Sequence, residues 1–553
     1  MDELERLLPG GTRRGMAVSL WARERGGHEA VRTDRGVRSF AGLNANANRV
    51  LRGLRADGVA PGETVVVVAS AAPEFVEVIL ACRRGGLQCV PLDTRASVET
   101  AVQVITSTHA RAVFLDMRRD VFAANLLQQL DALGACELRV GFGPELSGAV
   151  PYANHIAPHD GDDVHQPKLG ALLCHRLTET GRPIAVCRPG AQLPAASAAT
   201  RAAGYRAGDD AQRHLCAVSL QDLHTLMLSV LGPLEMGSGI VLWEGFEPTR
   251  ALETIERMAI THLHLEPGQI GALLELATSL RGARDMSSLT HLFHRSLGMP
   301  QHAKHAAIEW LGSILWGYYA FPECDGLLIG SADWHGRPGS VGRLGVHAHV
   351  RDFDDQVLAP GQQGELMLEL ESDFSYLDNP ERTAMSGSGF HTGHLGAIDD
   401  QGFVQLEAPM GRQGWDVDGL VKAAVGPNMD NTLLQHPEVM EVVTCTVALG
   451  DYDEIPVAIV VLQRDDAFEE PPLRELDPTH PERARIESEF RLLCRRVSLA
   501  VSPAHYHFVA CMPRTSTQMI LTRRVHEWAR SRYGGNGCAK RTEFPTHLEP
   551  TPE

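Results

Sequence analysis

The alternation of apolar and polar positions in the first third of the chain predicts repeated strand and helix units. Residues 40–54 carry apolar side chains at helical spacing, and residues 58–62, which contain two glycines and a proline, end that helix before the β-branched strand 64–68. Further helices and strands alternate over residues 72–85, 89–92, 98–106 and 112–115. The pattern predicts an α/β fold with a mostly parallel sheet that has helices on its faces.

The pattern changes twice in the remaining chain. Short strands separated by turn signals over residues 348–370 predict a small antiparallel β subdomain, and a break near residues 407–411 precedes a compact α+β region. We therefore predict an N-terminal domain over residues 1–409 and a small C-terminal domain over residues 410–533. The Gly-, Pro- and charge-rich segment 534–553 is predicted to be a disordered tail.

Composition and charge narrow the classes of function. The chain has 553 residues, of which 44% are hydrophobic and 22% charged, as in a globular protein of several packed units. A net charge of −18 argues against binding to nucleic acid or to an anionic membrane, because phosphate groups require clustered Lys and Arg. The 11 scattered cysteines contain no CxxC pair, and no apolar run reaches the length of a membrane span, so we expect reduced thiols and a cytoplasmic location.

Several polar clusters offer metal-ligand chemistry. The segment 145–168 contains donors that could bind a metal, namely His155, His159, Asp160, Asp162, Asp163 and His165. A solvated polar surface loop is the interpretation we favour for this segment, since it lacks apolar periodicity. The pairs His302/His305, His391/His394 and His505/His507 lack the flanking acid of a helical zinc site, and chance spacing explains them in a chain with 25 histidines.

A series of short segments in a fixed order resembles the adenylate-forming superfamily, especially its acyl-CoA synthetase branch. The segments are Phe40-Ala41-Gly42-Leu43-Asn44 with Asn48, Pro73-Glu74-Phe75, residues 261–267, residues 337–343, Pro360-Gly361 with Gly364-Glu365, residues 376–384 and His436-Pro437-Glu438-Val439. The resemblance implies activation of a carboxylate with ATP and Mg²⁺ to an acyl-adenylate. It further implies transfer of the acyl group to CoA or to a carrier protein as a mobile C-terminal lid domain rotates.

The phosphate loop of the family has the form S-G-T-T-G-x-P-K-G, and this chain departs from it. Thr180 and Gly181 match the loop and remain candidate nucleotide-binding residues, together with Thr178, which stands where the first glycine is expected. Glu179 places a carboxylate toward the polyphosphate, which would repel ATP, and Ile184 replaces the lysine. A retained turn without nucleotide is thus an equal alternative to a phosphate site.

The family's adenine, metal and ribose positions are altered as well. Where the family has Y-G-x-T-E, this chain has Tyr319, which could stack on a purine, and Glu323, which could bind Mg²⁺. Where the family has a ribose-binding aspartate, this chain has His394, which cannot accept two ribose hydroxyls as a carboxylate does. Arg412 matches the hinge arginine that approaches the ribose.

The catalytic lysine and the acyl-pocket entry also differ. The family segment P-R-T-x-T-G-K is matched by residues 513–519, with Met519 at the lysine position. A methionine cannot stabilise developing negative charge, and losing one such contact commonly slows a reaction about 10²–10³-fold. At the pocket entry, residues 218–222 replace a G-P-L-Y-H-like segment and end in Asp222.

Three hypotheses follow. We favour a relative of acyl-CoA synthetases that has lost ATP-dependent adenylation and binds an acyl, CoA or carrier-protein ligand, a pseudoenzyme with no certain cofactor. The second is a divergent carboxylate–CoA or carboxylate–carrier ligase that uses ATP, Mg²⁺ and CoA, with Arg176 or Arg182 compensating for the lost lysines. The third is ATP-independent acyl transfer on a thioester, with catalytic candidates His394, Asp222, Cys324 and Glu323.

Overall fold

The fold comes from a computed structural model, which describes most of the chain. The described residues are 2–69, 71–94, 96–177, 183–188, 203–296, 299, 301–337, 339–343, 348–352, 356–369, 374–376, 389–409, 429–430, 432–434, 436–448, 454–462, 481–496, 503–509, 511–513 and 522–533. Within them, no helix combines the length and the apolar character needed to cross a membrane.

Helices and strands alternate through the first 300 residues, and further helices follow. The helices are α1 Asp2–Thr12, α2 Ala17–Arg25, α3 Phe40–Ala56, α4 Pro73–Gly85, α5 Val98–Ser107, α6 Asp120–Leu133, α7 Tyr152–Ile156, α8 Leu223–Leu226 (continued by a π-helical turn, Met227–Leu231), α9 Gly232–Glu235, α10 Pro248–Met258, α11 Pro267–Glu275, α12 Thr278–Gly282, α13 Gln301–Leu311, α14 Ser331–His335, α15 Pro481–Arg496 and α16 Thr522–Tyr533.

The strands form three sheets. They are β1 Glu29–Thr33, β2 Gly36–Ser39, β3 Thr64–Val68, β4 Gln88–Leu92, β5 Ala112–Asp116, β6 Leu138–Phe142, β7 Val150–Pro151, β8 Ala171–Leu177, β9 Pro183–Arg188, β10 Arg213–Cys216, β11 Gly239–Leu242, β12 His262–His264, β13 His291–Arg295, β14 Leu315–Phe321, β15 Cys324–Gly330, β16 Ser340–Arg343, β17 Ala348–Arg351, β18 Gly364–Glu369, β19 Ser375–Tyr376, β20 Gly389–Ile398, β21 Phe403–Pro409, β22 Val439–Ala448, β23 Glu454–Leu462 and β24 His505–Phe508.

The smaller of the two large sheets has the predicted α/β construction. Its eight strands run in the order β19-β9-β8-β4-β3-β5-β6-β7, and its central pairs β4–β3 and β3–β5 are parallel. Val65 and Val67 pack into a core with α3 and α4, whereas Val66 and Val68 pack into a second core with α5 and α6. Because side chains alternate across a strand, a continuous valine run buries both faces, and the α/β prediction is confirmed.

Local sequence explains where the first helices begin and end. The Ser39 hydroxyl accepts a hydrogen bond of 3.2 Å from the Gly42 amide and so caps α3. Pro73 occupies the first turn of α4, where a missing amide hydrogen costs nothing. Gly86 ends α4 at φ +73°, a left-handed conformation that a side chain disfavours.

The larger sheet joins the parallel and antiparallel parts of the fold. Its order is β17-β18-β20-β21-β16-β15-β14-β13-β12-β10-β11-β1-β2. The pairs from β1–β11 to β13–β14 are parallel, and those from β14–β15 to β17–β18 are antiparallel. The antiparallel pairing predicted for residues 348–370 is therefore confirmed, and these strands extend the larger sheet at its edge.

The polar segment 145–168 is more ordered than we predicted. It contains α7, in which Tyr152 and His155 are buried, and the Tyr152 hydroxyl donates to Glu77 over 2.5 Å. Asp163 accepts a hydrogen bond of 2.9 Å from the side-chain amide of Asn44. Side-chain hydrogen bonds from Asn44, Ser19 and Arg23 lower the pKa of Asp163 to about 2. The solvated-loop interpretation is thus wrong for these residues, because α3 supplies partners that a local pattern does not show.

Two asparagines in the segments that resemble the adenylate-forming superfamily have a structural role. Asn44 and Asn48 lie on α3, and their side-chain oxygens accept hydrogen bonds of 2.9 Å and 2.6 Å from Nη1 of Arg84. Arg84 is fully buried, and desolvation lowers its pKa to about 10. A buried cation requires such acceptors, which accounts for the two amides at helical spacing.

The C-terminal residues build a separate core. Strands β22, β23 and β24 form their own sheet. One face packs on Phe490 of α15, and the other packs on Trp528 of α16. The predicted domain boundary falls at the end of β21, and residues 410–428 lie outside the described part of the chain, as does the predicted tail.

Candidate functional site

The phosphate-loop-like segment joins two paired strands. Strands β8 and β9 are antiparallel, and their register runs from Leu172 opposite Arg188 to Leu177 opposite Pro183. Ile184, at the family's lysine position, lies opposite Arg176. Residues 178–182, which include the candidates Thr178, Thr180 and Gly181 as well as Glu179 and Arg182, are outside the described residues.

The residues at the adenine and ribose positions contact each other. Tyr319 lies on β14, His394 lies on β20, and the Tyr319 hydroxyl is 2.5 Å from Nδ1 of His394. The two ring centroids are 5.7 Å apart. This hydrogen bond engages the hydroxyl group of Tyr319 and one of the two ring nitrogens of His394.

An aromatic environment sets the charge of His394. Phe321 packs against both Tyr319 and His394, with ring centroids 5.1 Å and 5.9 Å away, and Phe390 lies beyond Phe321. Burial in this cluster lowers the pKa of His394 to about 4. The imidazole is therefore neutral near pH 7, and it carries neither the negative charge nor the two acceptor oxygens of an aspartate.

The predicted Mg²⁺ ligand is held inside the protein. Glu323 lies at the turn between β14 and β15, where Phe321 pairs with Cys324, and it is fully buried. The Tyr376 hydroxyl donates to its Oε1 over 2.9 Å, and the neighbouring Pro322 carbonyl accepts from Arg188 over 3.3 Å. No potential metal-binding group found among the described residues includes Glu323.

Asp222 takes part in a half-buried ion pair rather than standing as a general base. Its carboxylate is 3.2 Å from Nη2 of Arg295 and caps α8 by accepting a 2.9 Å hydrogen bond from the Thr225 amide. Arg295 also lies 3.4 Å from Glu266. The positive charge of Arg295 keeps the pKa of Asp222 well below its usual range, so the carboxylate is a weak proton acceptor.

A second polar layer, which the sequence analysis missed, adjoins this ion pair. The Tyr318 hydroxyl is 3.1 Å from Nε2 of His264, whose Nδ1 is 2.7 Å from the Ser229 hydroxyl. His264 on β12 lies opposite Cys216 on β10, and His262 lies opposite His214. The signal was present in the sequence, because His and Cys alternate with Leu in residues 214–216 and 262–264 and so share one face of the sheet.

A cleft opens where parallel strands of both large sheets end. It is lined by Ala69, Ala71, Asp93, Thr94, Val218, Ser219, Leu220, Trp243 and Glu244. These residues follow the carboxyl ends of β3, β4, β10 and β11, the usual location of ligand sites in α/β proteins. The Ser219 hydroxyl donates to Asp93 over 2.8 Å, which places the predicted acyl-pocket segment at the wall of this cleft.

Other predicted site residues cannot be placed. Arg412 and Met519 lie outside the described residues, and the backbone of Cys324 is described but its side chain is not. The described part of the site therefore brings together Tyr319 with His394, and Glu323 with Tyr376. Asp222 belongs to a separate cluster with Arg295.

Comparison with known proteins agrees with the fold. The profile of the family described as AMP-binding enzyme matches residues 18–371. An indoleacetate–CoA ligase from Aromatoleum aromaticum is 24% identical over 526 residues, covering 91% of this chain and 96% of the relative. A fatty acid–[acyl-carrier-protein] ligase, ScoC, from Streptomyces coeruleorubidus is 23% identical, with coverages of 91% and 93%.

A solved structure confirms the architecture over nearly the whole chain. The amide bond synthetase McbA from Marinactinospora thermotolerans superposes with a TM-score of 0.75 at 24% identity, covering 93% of this chain and 99% of that protein. At this identity the likeness establishes the fold. The activity has to be argued from the residues of the site.

Proposed function

We propose that this chain, which belongs to the AMP-binding enzyme family, is an acyl-CoA-synthetase-like protein that lacks ordinary ATP-dependent adenylation. In this proposal the chain binds an acyl group, CoA or an acyl-carrier protein. We also propose the division into an N-terminal domain over 1–409 and a small C-terminal domain over 410–533.

The pairing of Tyr319 with His394 is the observation that carries the proposal. An aspartate at the position of His394 would accept both ribose hydroxyls, and each hydrogen bond to a charged group contributes about 1.5–3 kcal/mol. A neutral imidazole that already bonds to Tyr319 provides one remaining nitrogen. The loss of two charged hydrogen bonds corresponds to a weakening of nucleotide binding by about 10²–10⁴-fold.

The metal and phosphate positions support the same conclusion. The Glu323 carboxylate is fully buried, and its Oε1 accepts a hydrogen bond from Tyr376 inside the fold. The sequence adds a negative charge at Glu179 and removes the lysines at Ile184 and Met519. The residues thus fit ATP and Mg²⁺ poorly, and we derive no chemical step through them.

A divergent ligase is the alternative that the comparisons favour. Both curated relatives named above are ligases, and they extend over 91% of this chain. Under this alternative Arg176 or Arg182 would neutralise the polyphosphate by bidentate contact, with CoA or a carrier protein as acceptor. The ATP-independent thioester hypothesis is weaker, because Asp222 is paired with Arg295 and His394 with Tyr319.

Pyrophosphate release distinguishes the two leading proposals. The purified full-length protein is incubated with ATP, Mg²⁺, CoA and a panel of indole, cinnamate-type and fatty carboxylic acids, and pyrophosphate is measured by a coupled assay. Our proposal expects no release above the ATP-only control, together with an increase in melting temperature when CoA or an acyl-CoA is added. Release that depends on one acid would establish the divergent ligase instead.

A further inference from the structure

We propose that His214, Cys216 and His264 bind a zinc ion in the core of the larger sheet. His214 and Cys216 lie two residues apart on β10, and His264 lies on the neighbouring strand β12 directly opposite Cys216. One ring nitrogen of each histidine and the Cys216 sulfur all lie within 4.8 Å of one another. This site is separate from the positions that the family uses for nucleotide.

The three side chains are shielded from water. His214 and His264 have no exposed surface, and Cys216 is 1% exposed. Cys216 packs in the same core as Phe293, while the alternate residues of β10 and β12 face the opposite side of the sheet. A bound ion would therefore be enclosed by protein, as in structural zinc sites.

One ring nitrogen in this cluster of side chains lacks the partner that burial normally requires. In the described part of the chain, Nε2 of the buried His214 has no hydrogen-bond partner, whereas its Nδ1 is held by the Tyr205 hydroxyl. An unpaired buried polar atom is costly, and a metal ion would satisfy it. The contact from Tyr205 to the other nitrogen is the usual outer contact that orients a metal-bound imidazole.

The chemistry of the donors matches zinc. Two neutral imidazoles and one thiolate are common zinc ligands. Tetrahedral geometry would place neighbouring donors about 3.3–3.6 Å apart, so the three donors would move closer together on binding. On binding, a zinc–sulfur bond forms and the Cys216 thiol proton leaves to solvent.

Ser229 offers a fourth donor. Its hydroxyl is 2.7 Å from Nδ1 of His264, and the Cys216 sulfur donates a 3.7 Å hydrogen bond to the Val218 carbonyl. Nε2 of His264 is held in turn by the Tyr318 hydroxyl, 3.1 Å away. A zinc ion would replace the hydrogen bond between Ser229 and His264, while the Tyr318 hydroxyl would keep its contact with the other ring nitrogen, and the ion would link β10, β12 and the π-helical turn that carries Ser229.

Metal content and cobalt substitution test the proposal on the full-length protein. Protein purified without chelator is analysed for zinc, and metal-stripped protein is titrated with Co²⁺ to look for a thiolate-to-cobalt charge-transfer band. We expect about one equivalent of zinc, and loss of both zinc and the band in Cys216→Ser. Cys174→Ser is the matched control, because Cys174 is equally buried but lies outside the cluster, and it should retain both.

Each further outcome is decisive. Wild-type protein that takes up neither zinc nor cobalt would overturn the proposal, as would stoichiometric zinc that survives both Cys216→Ser and His214→Gln. If Cys216→Ser does not fold, His214→Gln supplies the test, because it should lower zinc affinity while the thiolate band persists at higher Co²⁺. A zinc-dependent increase in the wild-type melting temperature that His214→Gln abolishes would support the site independently of enzymatic activity.

Discussion

The Tyr319 hydroxyl and Nδ1 of His394 lie 2.5 Å apart, although 75 residues separate them in sequence. The resemblance assigns both residues to positions at which the family binds the nucleoside of ATP. Their hydrogen bond joins β14 to β20 across the antiparallel part of the larger sheet, within a cluster that includes Phe321 and Phe390. The strand pairing of the fold is therefore retained here, but the two polar groups that would contact a ribose form a hydrogen bond with each other instead.

Restoring the carboxylate should restore part of nucleoside binding. We expect His394→Asp to bind AMP about 10²-fold or more tightly than the wild type, because two charged hydrogen bonds to the ribose become available. AMP is the appropriate ligand because it lacks the β- and γ-phosphates that Glu179 would repel. His394→Asn is the matched control, and equal AMP affinity in all three proteins, measured by calorimetry, would contradict this role of His394.

Restoring the lysine alone should not restore catalysis. Met519→Lys returns a positive charge to the adenylation position, but Ile184, Glu179 and His394 still oppose ATP binding. We expect no ATP–pyrophosphate exchange above background with this single variant. A clear gain of exchange would mean that the phosphate and ribose positions are far more competent than we infer.

The Asp222–Arg295 pair should be important for stability. Arg295→Met leaves the half-buried Asp222 carboxylate without its cation, and we expect this loss to destabilise the protein by more than the ~1 kcal/mol that an exposed pair contributes. We expect a lower denaturation midpoint in urea, followed by tryptophan fluorescence. Arg284→Met is the control, because Arg284 pairs with Glu253 at the surface, where loss costs about 1 kcal/mol or less; equal effects of the two substitutions would refute the assignment.

Lys304 should make stability depend on pH in the alkaline range. The side chain is 4% exposed and its ammonium lies 4.5 Å above the Trp334 ring, and burial lowers its pKa to about 7. In the unfolded chain the pKa is about 10.4, so between these values the unfolded state holds the extra proton. The free energy of unfolding should therefore rise with pH from 7 to about 10.4 and be insensitive to this group below 7.

Lys304→Met isolates that contribution. The variant should lose the part of the alkaline rise that comes from Lys304, which appears as a wild-type-minus-variant difference that grows between pH 7 and 10 in parallel unfolding curves. A constant difference over this range would show that Lys304 keeps its charge in the folded protein.

The sequence predicts the elements well where a pattern is local. The predicted strand 64–68 and the predicted helix from Phe40 agree with the bounds of β3 and α3 to within about two residues, because strand and helix periodicity depend on neighbouring positions. The repeated strand and helix periodicity of the first third of the chain likewise predicts the α/β architecture. The domain boundary at residue 409 remains a prediction.

The site was harder to predict because its contacts are long-range. The sequence shows that His394 replaces the family's ribose-binding aspartate. Its hydrogen bond to Tyr319, however, depends on the arrangement of strands that are distant in sequence. His155 and Asp163 looked like loop residues, yet helix α3 buries the first and hydrogen-bonds the second. The cluster of His214, Cys216 and His264 requires knowing that β10 and β12 are neighbours, which the chain order alone does not specify.

Calorimetric titration of the wild-type protein with ATP and Mg²⁺ tests the central claim most directly. The account predicts no measurable heat of binding with ATP·Mg²⁺ at concentrations where an active relative saturates, while CoA or an acyl-CoA still raises the melting temperature. Saturable ATP·Mg²⁺ binding in the micromolar range would contradict it, and would make the chain a divergent ligase whose carboxylate substrate remains to be found.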